Sequence, residues 1–108
     1  MSAPKKLSGR ALRRETIRRS AKLARDLERL ARLSPGGAPD SPIELASASQ
    51  VEVHARSMPC PICQGEVRVD EHVAETIEGA RLRVAAVTCS ICGASRRVYF
   101  RLGTALPS

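Results

Sequence analysis

The order of apolar and polar positions divides the chain into a helical part and a strand-rich part. Between residues 8 and 33, apolar residues recur every three or four positions, which places them along one side of an α-helix. This apolar side is strongest from Leu23 onward, and the prolines and glycines that follow Leu33 end a helix. The pattern therefore predicts one amphipathic helix over residues 8–33.

After residue 49 the apolar positions alternate with polar ones, as they do in half-buried β-strands. This period of two predicts strands at residues 50–56, 66–73, 81–88 and 96–102, and a loop or a short helical turn at residues 74–80. We expect Leu82 and Val84 to share one apolar face with Val98 and Phe100. The core must be small and aliphatic, because the chain has no tryptophan, one tyrosine and one phenylalanine.

The segment between these two parts has the composition of a linker. Residues 34–49 contain three prolines, two glycines and four serines, which disfavours packing of the segment on its own. The sequence therefore predicts a basic amphipathic helical arm at residues 1–33, a flexible linker at residues 34–49 and a cysteine-containing domain at residues 50–108.

Positive charge is concentrated in the arm. Residues 1–33 hold eleven Lys/Arg and three Asp/Glu, whereas residues 34–108 hold seven Lys/Arg and eight Asp/Glu. The cations opposite the apolar side of the helix are candidates for nucleic-acid binding: Arg14, Arg18, Lys22, Arg25, Arg29 and Arg32. A basic stripe along a helix is typical of proteins that bind nucleic acid or another polyanion.

Two other interpretations of the helix remain open. Leu23, Leu27 and Leu30 would suit docking on a protein partner or pairing with a second copy, and a run of charges is also common on an ordinary solvated surface. The strand-rich part offers a weaker nucleic-acid surface, where Tyr99 could stack on a base. We expect that surface to comprise Arg68, Arg83, Arg97, Tyr99 and Arg101.

All four cysteines belong to two Cys-x-x-Cys pairs: Cys60, Cys63, Cys89 and Cys92. Two residues between ligands allow a tight turn to direct both sulfurs at one point, and four thiolates from two such turns suit tetrahedral Zn²⁺. We expect Gly65 and Gly93, which follow the pairs, to supply the positive φ that such turns need.

Other uses of these thiols are less favoured. Disulfides need an oxidising compartment, and the N-terminal residues lack the apolar core of a secretory signal. A redox pair needs a βαβ context that the pattern does not predict, whereas an iron site would use the same four-sulfur geometry. With four cysteines available, His54 and His72 are not needed as ligands, and we expect His72 to face solvent.

The stretches "CPIC" and "CSICG", each followed by a strand, resemble the two knuckles of a zinc ribbon. The resemblance covers about residues 58–103. It implies a zinc-ribbon β-hairpin or three-stranded antiparallel sheet. Together with the basic N-terminal helix that the periodicity predicts, this gives a small α+β fold. It also implies structural zinc. Members of this class include transcription-factor, RNA-polymerase and ribosomal-protein modules and protein-binding adaptors.

The same features predict where the protein acts and what it does not do. Structural zinc closed by four protein ligands has no open position for catalysis, so we expect the protein not to be an enzyme. No apolar run approaches the roughly 20 residues that span a bilayer. Together with the missing secretory signal, this predicts a cytoplasmic protein.

Overall fold

The computed structural model describes residues 9–103. The predicted helix start at Ser8, the arm before Gly9 and residues 104–108 of the predicted last domain lie outside the described residues. The elements in chain order are α1 (Gly9–Leu33), β1 (Ile43–Leu45), a 3-10 turn (Ala48–Gln50), α2 (Val51–Ser57), β2 (Val67–Ile77), β3 (Ala80–Cys89) and β4 (Ser95–Leu102). Two helices and one sheet confirm the predicted small α+β class.

The sheet has four strands in the order β1-β4-β3-β2. Strands β2, β3 and β4 are antiparallel, but β1 adds to β4 in parallel, pairing Ile43 with Phe100 and Leu45 with Leu102. The predicted three-stranded antiparallel sheet is therefore wrong by one strand. A three-residue strand is too short to produce a periodic signal, and β1 lies inside the segment whose composition indicated a linker. The division into arm, linker and domain stays a prediction.

The strand predicted at residues 50–56 is wrong, because these residues belong mainly to helix α2. Val51 and Ala55 are buried, whereas Val53 is 61% exposed. In a strand Val51 and Val53 would face the same side, but one helical turn separates Val51 from Ala55 and turns Val53 away. The short run fits both periods, and burial against the sheet selects the helix.

The hairpin between β2 and β3 is longer than predicted. Most of the loop predicted at residues 74–80 is strand, and only Glu78 and Gly79 form the turn. Their φ values of 49° and 81° are those of a two-residue type I′ turn. Glu75 resembles a loop residue in the sequence, yet it accepts a hydrogen bond from Arg97 on β4 at 2.7 Å.

The main core lies between α2 and one face of the sheet. Phe100 is fully buried there, and its ring meets His54 of α2 edge-on, with 5.7 Å between ring centroids. The other buried members are aliphatic: Val51, Ala55, Ala85, Val87 and Val98. A single aromatic ring surrounded by small side chains agrees with the predicted aliphatic core.

The register of β3 against β4 corrects the predicted faces. Ala85 pairs with Val98, and Val84 pairs with Tyr99, so Leu82 and Val84 do not share a face with Val98 and Phe100. Arg83 pairs with Phe100 and therefore lies on the opposite face from Tyr99. Because β3 buries apolar residues on both faces, its alternation does not show which of its residues share a face with Val98 and Phe100.

The turn after α1 connects the end of this helix to the sheet. Tyr99 donates its backbone N–H to the carbonyl oxygen of Gly36 at 2.8 Å. Gly36 is buried with a φ of 82°, and a Cβ there would lie 2.6 Å from Ile43 Cδ1. A Cβ on Gly37 would lie 1.9 Å from the carbonyl oxygen of Ala31. Both glycines are therefore required where the helix end approaches the sheet.

Candidate metal centre

The two cysteine pairs lie on turns that are closed by the same backbone hydrogen bonds. In each turn the first cysteine donates its N–H to the carbonyl five residues later and accepts from the N–H four residues later. These two distances are 3.0 and 2.8 Å at Cys60, and 2.9 and 3.1 Å at Cys89. The similarity of the two sequence stretches thus extends to their backbone geometry.

The positive φ that such a turn needs falls on the residue after the second cysteine. Gln64 has a φ of 62° and Gly93 a φ of 76°, at equivalent positions of the two turns. The prediction for Gly93 is confirmed, and the prediction for Gly65 is wrong. Aligning the two pairs would have shown this, because Gln64 stands opposite Gly93 and Gly65 opposite Ala94.

Gly65 is needed for space instead. A Cβ on this buried glycine would lie 2.8 Å from Ile91 Cδ1, and 3.1 and 3.2 Å from the sulfurs of Cys63 and Cys89. Separations that short are rare for real Cβ atoms. The second turn can therefore fold over the first only because residue 65 has no side chain.

The turns bring all four predicted cysteine sulfurs together. The Cys60–Cys92 sulfur distance is 3.6 Å and the Cys63–Cys89 distance is 3.4 Å, and every ligand atom of the cluster lies within 4.8 Å of the others. A disulfide would need about 2.05 Å, whereas four sulfurs at about 2.3 Å around one metal ion are about 3.8 Å apart. The cysteines are free and form a cluster that could hold a metal ion.

The two cysteines of the second turn differ in the pKa of their thiols. Backbone N–H groups of Cys92 and Ile91 donate to the sulfur of Cys89 and lower the pKa of its thiol to about 6. The Ala94 N–H favours the Cys92 thiolate, but desolvation and the neighbouring sulfurs outweigh it and raise the pKa of Cys92 to about 12. The four sulfurs therefore do not all ionise on their own, and a bound metal ion would compensate the charge of four thiolates.

Neither histidine belongs to the cluster. His54 packs its ring against Phe100, and His72 lies on β2 opposite Ala85. The prediction that His72 faces solvent is wrong for its ring tip, because Nε2 is buried and has no hydrogen-bond partner among the described residues. Within residues 9–103, the group of His, Cys, Asp and Glu side chains close enough to hold a metal consists of the four cysteines.

Arg96, which was not among the residues predicted for the site, borders the cysteine cluster. It lines a small cavity together with Cys60, and burial lowers its pKa while the Cys60 thiolate partly opposes that shift. Four thiolates around a divalent cation carry a net charge of about −2, so a nearby guanidinium stabilises them. The adjacent arginines Arg96 and Arg97 offered a signal, because neighbouring residues of a strand face opposite sides.

The six predicted nucleic-acid contacts form one exposed surface on α1, which we call the cationic face. All six are exposed, and none has a carboxylate within salt-bridge distance among residues 9–103. On α1, Arg19 instead pairs with Glu15 at 2.7 Å. The members of the cationic face are Arg14, Arg18, Lys22, Arg25, Arg29 and Arg32.

The opposite side of α1 carries Leu23, Leu27 and Leu30, which we call the apolar stripe. Leu23 is 59% exposed and Leu30 is 61% exposed, and α1 has no buried residue. Both sides of the helix therefore remain accessible to a partner.

Comparison of the chain with protein-family models, curated proteins and solved structures finds no match. Neither described helix has the combination of length and hydrophobicity that crossing a bilayer requires.

Proposed function

We propose that the protein is a non-enzymatic zinc-ribbon protein that binds nucleic acid through the cationic face of α1. The observation that carries the proposal is the cationic face itself, an exposed row of six cations without carboxylate partners among the described residues. The cysteine cluster would hold structural zinc and would leave the metal no open position for chemistry.

The spacing of the cationic face supports a polyanionic partner. At about 100° per residue its six members fall within an arc of about 80°, and at about 1.5 Å per residue the row is about 27 Å long. Arg14, Arg18 and Lys22 follow one another at i,i+4, as do Arg25 and Arg29. Like charges at this spacing destabilise an isolated helix by about 0.2–0.5 kcal/mol per pair. Phosphates along the row would remove that repulsion.

The charge proposal is tested by the salt dependence of binding. For a duplex, log K falls against log salt with a slope of about −0.9 for each phosphate neutralised. We expect the double variant Arg18→Gln/Arg25→Gln to reduce that slope by about 1.8. The matched control is Arg13→Gln/Arg19→Gln, which removes the same charge from other sides of the same helix and should change the slope less. Equal slopes in the two variants, or no binding at low salt, would refute the proposal.

Anionic vesicles and a heparin-like polymer provide a second control for the same proposal. If these bind as tightly as nucleic acid at equal salt, the helix recognises negative charge alone. A clear preference for nucleic acid over both supports the function proposed here.

The proposed metal is tested by analysis of the purified protein and by its colour. Zinc thiolates are colourless, whereas an iron site with the same four-sulfur geometry absorbs visible light. We expect one zinc ion per chain. One iron ion per chain would show that the same four cysteines hold iron instead of zinc. A protein without any metal would refute the proposal that a metal stabilises the fold.

A second function, protein adaptor, is favoured by one observation. Two of the three leucines of the apolar stripe, Leu23 and Leu30, are exposed, and amphipathic helices commonly insert such a stripe into a groove of a partner. Leu23→Ser/Leu27→Ser should then abolish binding of that partner, while Arg18→Gln/Arg25→Gln should change it little. The reverse pattern supports nucleic-acid binding.

A further inference from the structure

A cleft lies between the last turns of α1, the first cysteine turn and the part of β4 that β1 does not cover. Its volume is about 320 Å³, at the lower end of the range for ligand-binding pockets. Its lining includes one acidic residue, Glu28, three arginines and one aromatic residue: Arg32, Arg96, Arg97 and Tyr99. Arg96 and Tyr99 leave β4 on opposite faces, and both line the cleft because it lies at the uncovered edge of this strand. The cleft is therefore a cationic pocket with an aromatic wall.

Two of the three guanidinium groups remain available for an anion. Arg97 donates to Glu75 at 2.7 Å, but Arg32 and Arg96 have no carboxylate within salt-bridge distance in residues 9–103. Arg96 is half-buried, and withdrawing a cation from water is costly unless an anion accompanies it. Although Arg96 also borders Cys60, its five N–H donors allow it to bind a second group. Two guanidinium groups at one cleft suit a phosphate.

The aromatic wall suits a nucleobase. The Arg97 guanidinium carbon lies 5.9 Å from the centroid of the Tyr99 ring, so this ring is already part of a cation–π pair. Single-stranded nucleic acid is commonly held by bases that stack on aromatic rings, with arginine adding cation–π contacts. A phosphate site and a stacking ring within one cleft match the two parts of a nucleotide.

The walls of the cleft are held in place before any ligand binds. The Tyr99 N–H donates to the Gly36 carbonyl oxygen at 2.8 Å, which ties the β4 wall to the turn that ends α1. Gly37, which also lines the cleft, contacts the last turns of α1 so closely that any side chain would clash with Ala31. A fixed site loses less entropy on binding than a mobile one.

Resting on the nucleic-acid function proposed above, we propose that this cleft binds one nucleotide of a single strand. The base stacks on Tyr99, and a neighbouring phosphate binds Arg32 and Arg96. Arg32 belongs to both the cleft and the cationic face, so the strand continues from the cleft along α1. A duplex cannot present an unpaired base to Tyr99, and single strands are therefore preferred.

The intrinsic fluorescence of the protein tests the stacking directly, because Tyr99 is the one tyrosine of a chain without tryptophan. We expect a single strand of about 12 nucleotides to quench this emission after correction for absorbance. An abasic strand of the same length should bind the cationic face and leave the emission close to that of the free protein. Equal emission with both strands at saturation would overturn the inference.

Affinity measurements with variants complete the test. Tyr99→Leu should weaken single-strand binding at least about fivefold and leave duplex binding unchanged, while Tyr99→Phe, which keeps the ring, should retain single-strand affinity. Arg96→Gln should weaken single-strand binding more than Arg81→Gln, a control of equal charge on an exposed residue at the other end of the sheet.

The outcomes separate this inference from the function on which it rests. Salt-dependent binding that neither Tyr99→Leu nor Arg96→Gln weakens would overturn the cleft site and leave nucleic-acid binding by α1 intact. Loss of all binding to single strands and duplexes at low salt would overturn both. The fluorescence of the unmodified chain decides the question even where Tyr99→Leu does not fold.

Discussion

The contact that joins α1 to the sheet can be tested by comparing Gly36→Ala with Gly79→Ala. The two glycines have nearly the same positive φ, 82° and 81°, so alanine meets the same backbone strain at both positions. Their surroundings differ. A Cβ on Gly36 would lie 2.6 Å from Ile43 Cδ1 and 3.1 Å from Val98 Cγ1, whereas nothing lies within 4 Å of one on Gly79.

The structure sets the expected magnitudes. The left-handed backbone costs alanine about 1–2 kcal/mol, part of which is offset because alanine restricts the unfolded chain by about 0.4–1 kcal/mol. We therefore expect Gly79→Ala to lower the free energy of unfolding by about 1 kcal/mol. Gly36→Ala should lower the free energy of unfolding by about 1–3 kcal/mol more, the usual cost of overpacking. The new Cβ would press on Val98, which is fully buried and cannot easily move away.

Denaturant unfolding of both variants in the presence of Zn²⁺ measures the difference. Thermal unfolding gives a second readout, since 1 kcal/mol shifts Tm by about 4–8 °C in a domain of this size. Adding Ile43→Val removes Cδ1, the atom nearest to the new Cβ, and should restore part of the stability lost in Gly36→Ala. Equal destabilisation at positions 36 and 79 would refute the packing described for the end of α1.

Three further predictions concern the metal, one turn and one carboxylate. A strong chelator should remove the strand signal from the circular dichroism spectrum while the helix signal changes less, because the proposed metal would couple its own binding to folding of the sheet. Gly65→Ala should weaken metal binding, because its Cβ would press on two cysteine sulfurs. Ala94→Gly, at the equivalent position of the other turn, should leave metal affinity unchanged. Competition with a chromophoric chelator measures both affinities. The Thr88 hydroxyl and Arg68 donate to Asp70 and hold its pKa below 3.8, so Thr88→Val should raise that pKa more than Arg68→Ala in a carboxyl NMR titration.

Each of these predictions has a result that contradicts it. An unchanged strand signal without metal would show that the sheet folds independently of the cysteines. Equal metal affinity of the Gly65 and Ala94 variants would remove the steric role of Gly65. For Asp70, a pKa lowered in the folded state means that its stabilisation is present at neutral pH and is lost as the pH falls below 3.8. The Asp70→Asn variant should therefore be less stable than the unmodified protein at neutral pH but not at low pH. A difference in stability that persists at low pH would contradict this expectation.

Long or repeated patterns were predicted well from the sequence. The helix from Gly9 to Leu33 is about seven turns long and ends at a proline–glycine stop. The spacing of the two cysteine pairs predicted the four sulfurs that the fold brings together. Three of the four predicted strands are present, because their alternation is regular.

Short elements and relative positions were not predictable in this way. Seven residues of α2 fit both a helix and a strand, and only burial against the sheet distinguishes them. The phase of β3 was ambiguous because Leu82 and Ala85 are both buried, on opposite faces. The cleft at Tyr99 forms because the turn at Gly36 contacts β4, which is distant in the sequence. No local pattern encodes such a long-range contact.

The strand order also has a consequence for how copies of the protein avoid one another. Strand β2 is eleven residues long and forms an outer edge of the sheet, and an unpaired edge of that length can recruit a second chain into a growing aggregate. The register shift between Val69 and Glu71 bends this edge at Asp70. Because charged side chains and local distortions discourage edge-to-edge association, this strand can be long without becoming a seed for amyloid-like stacking.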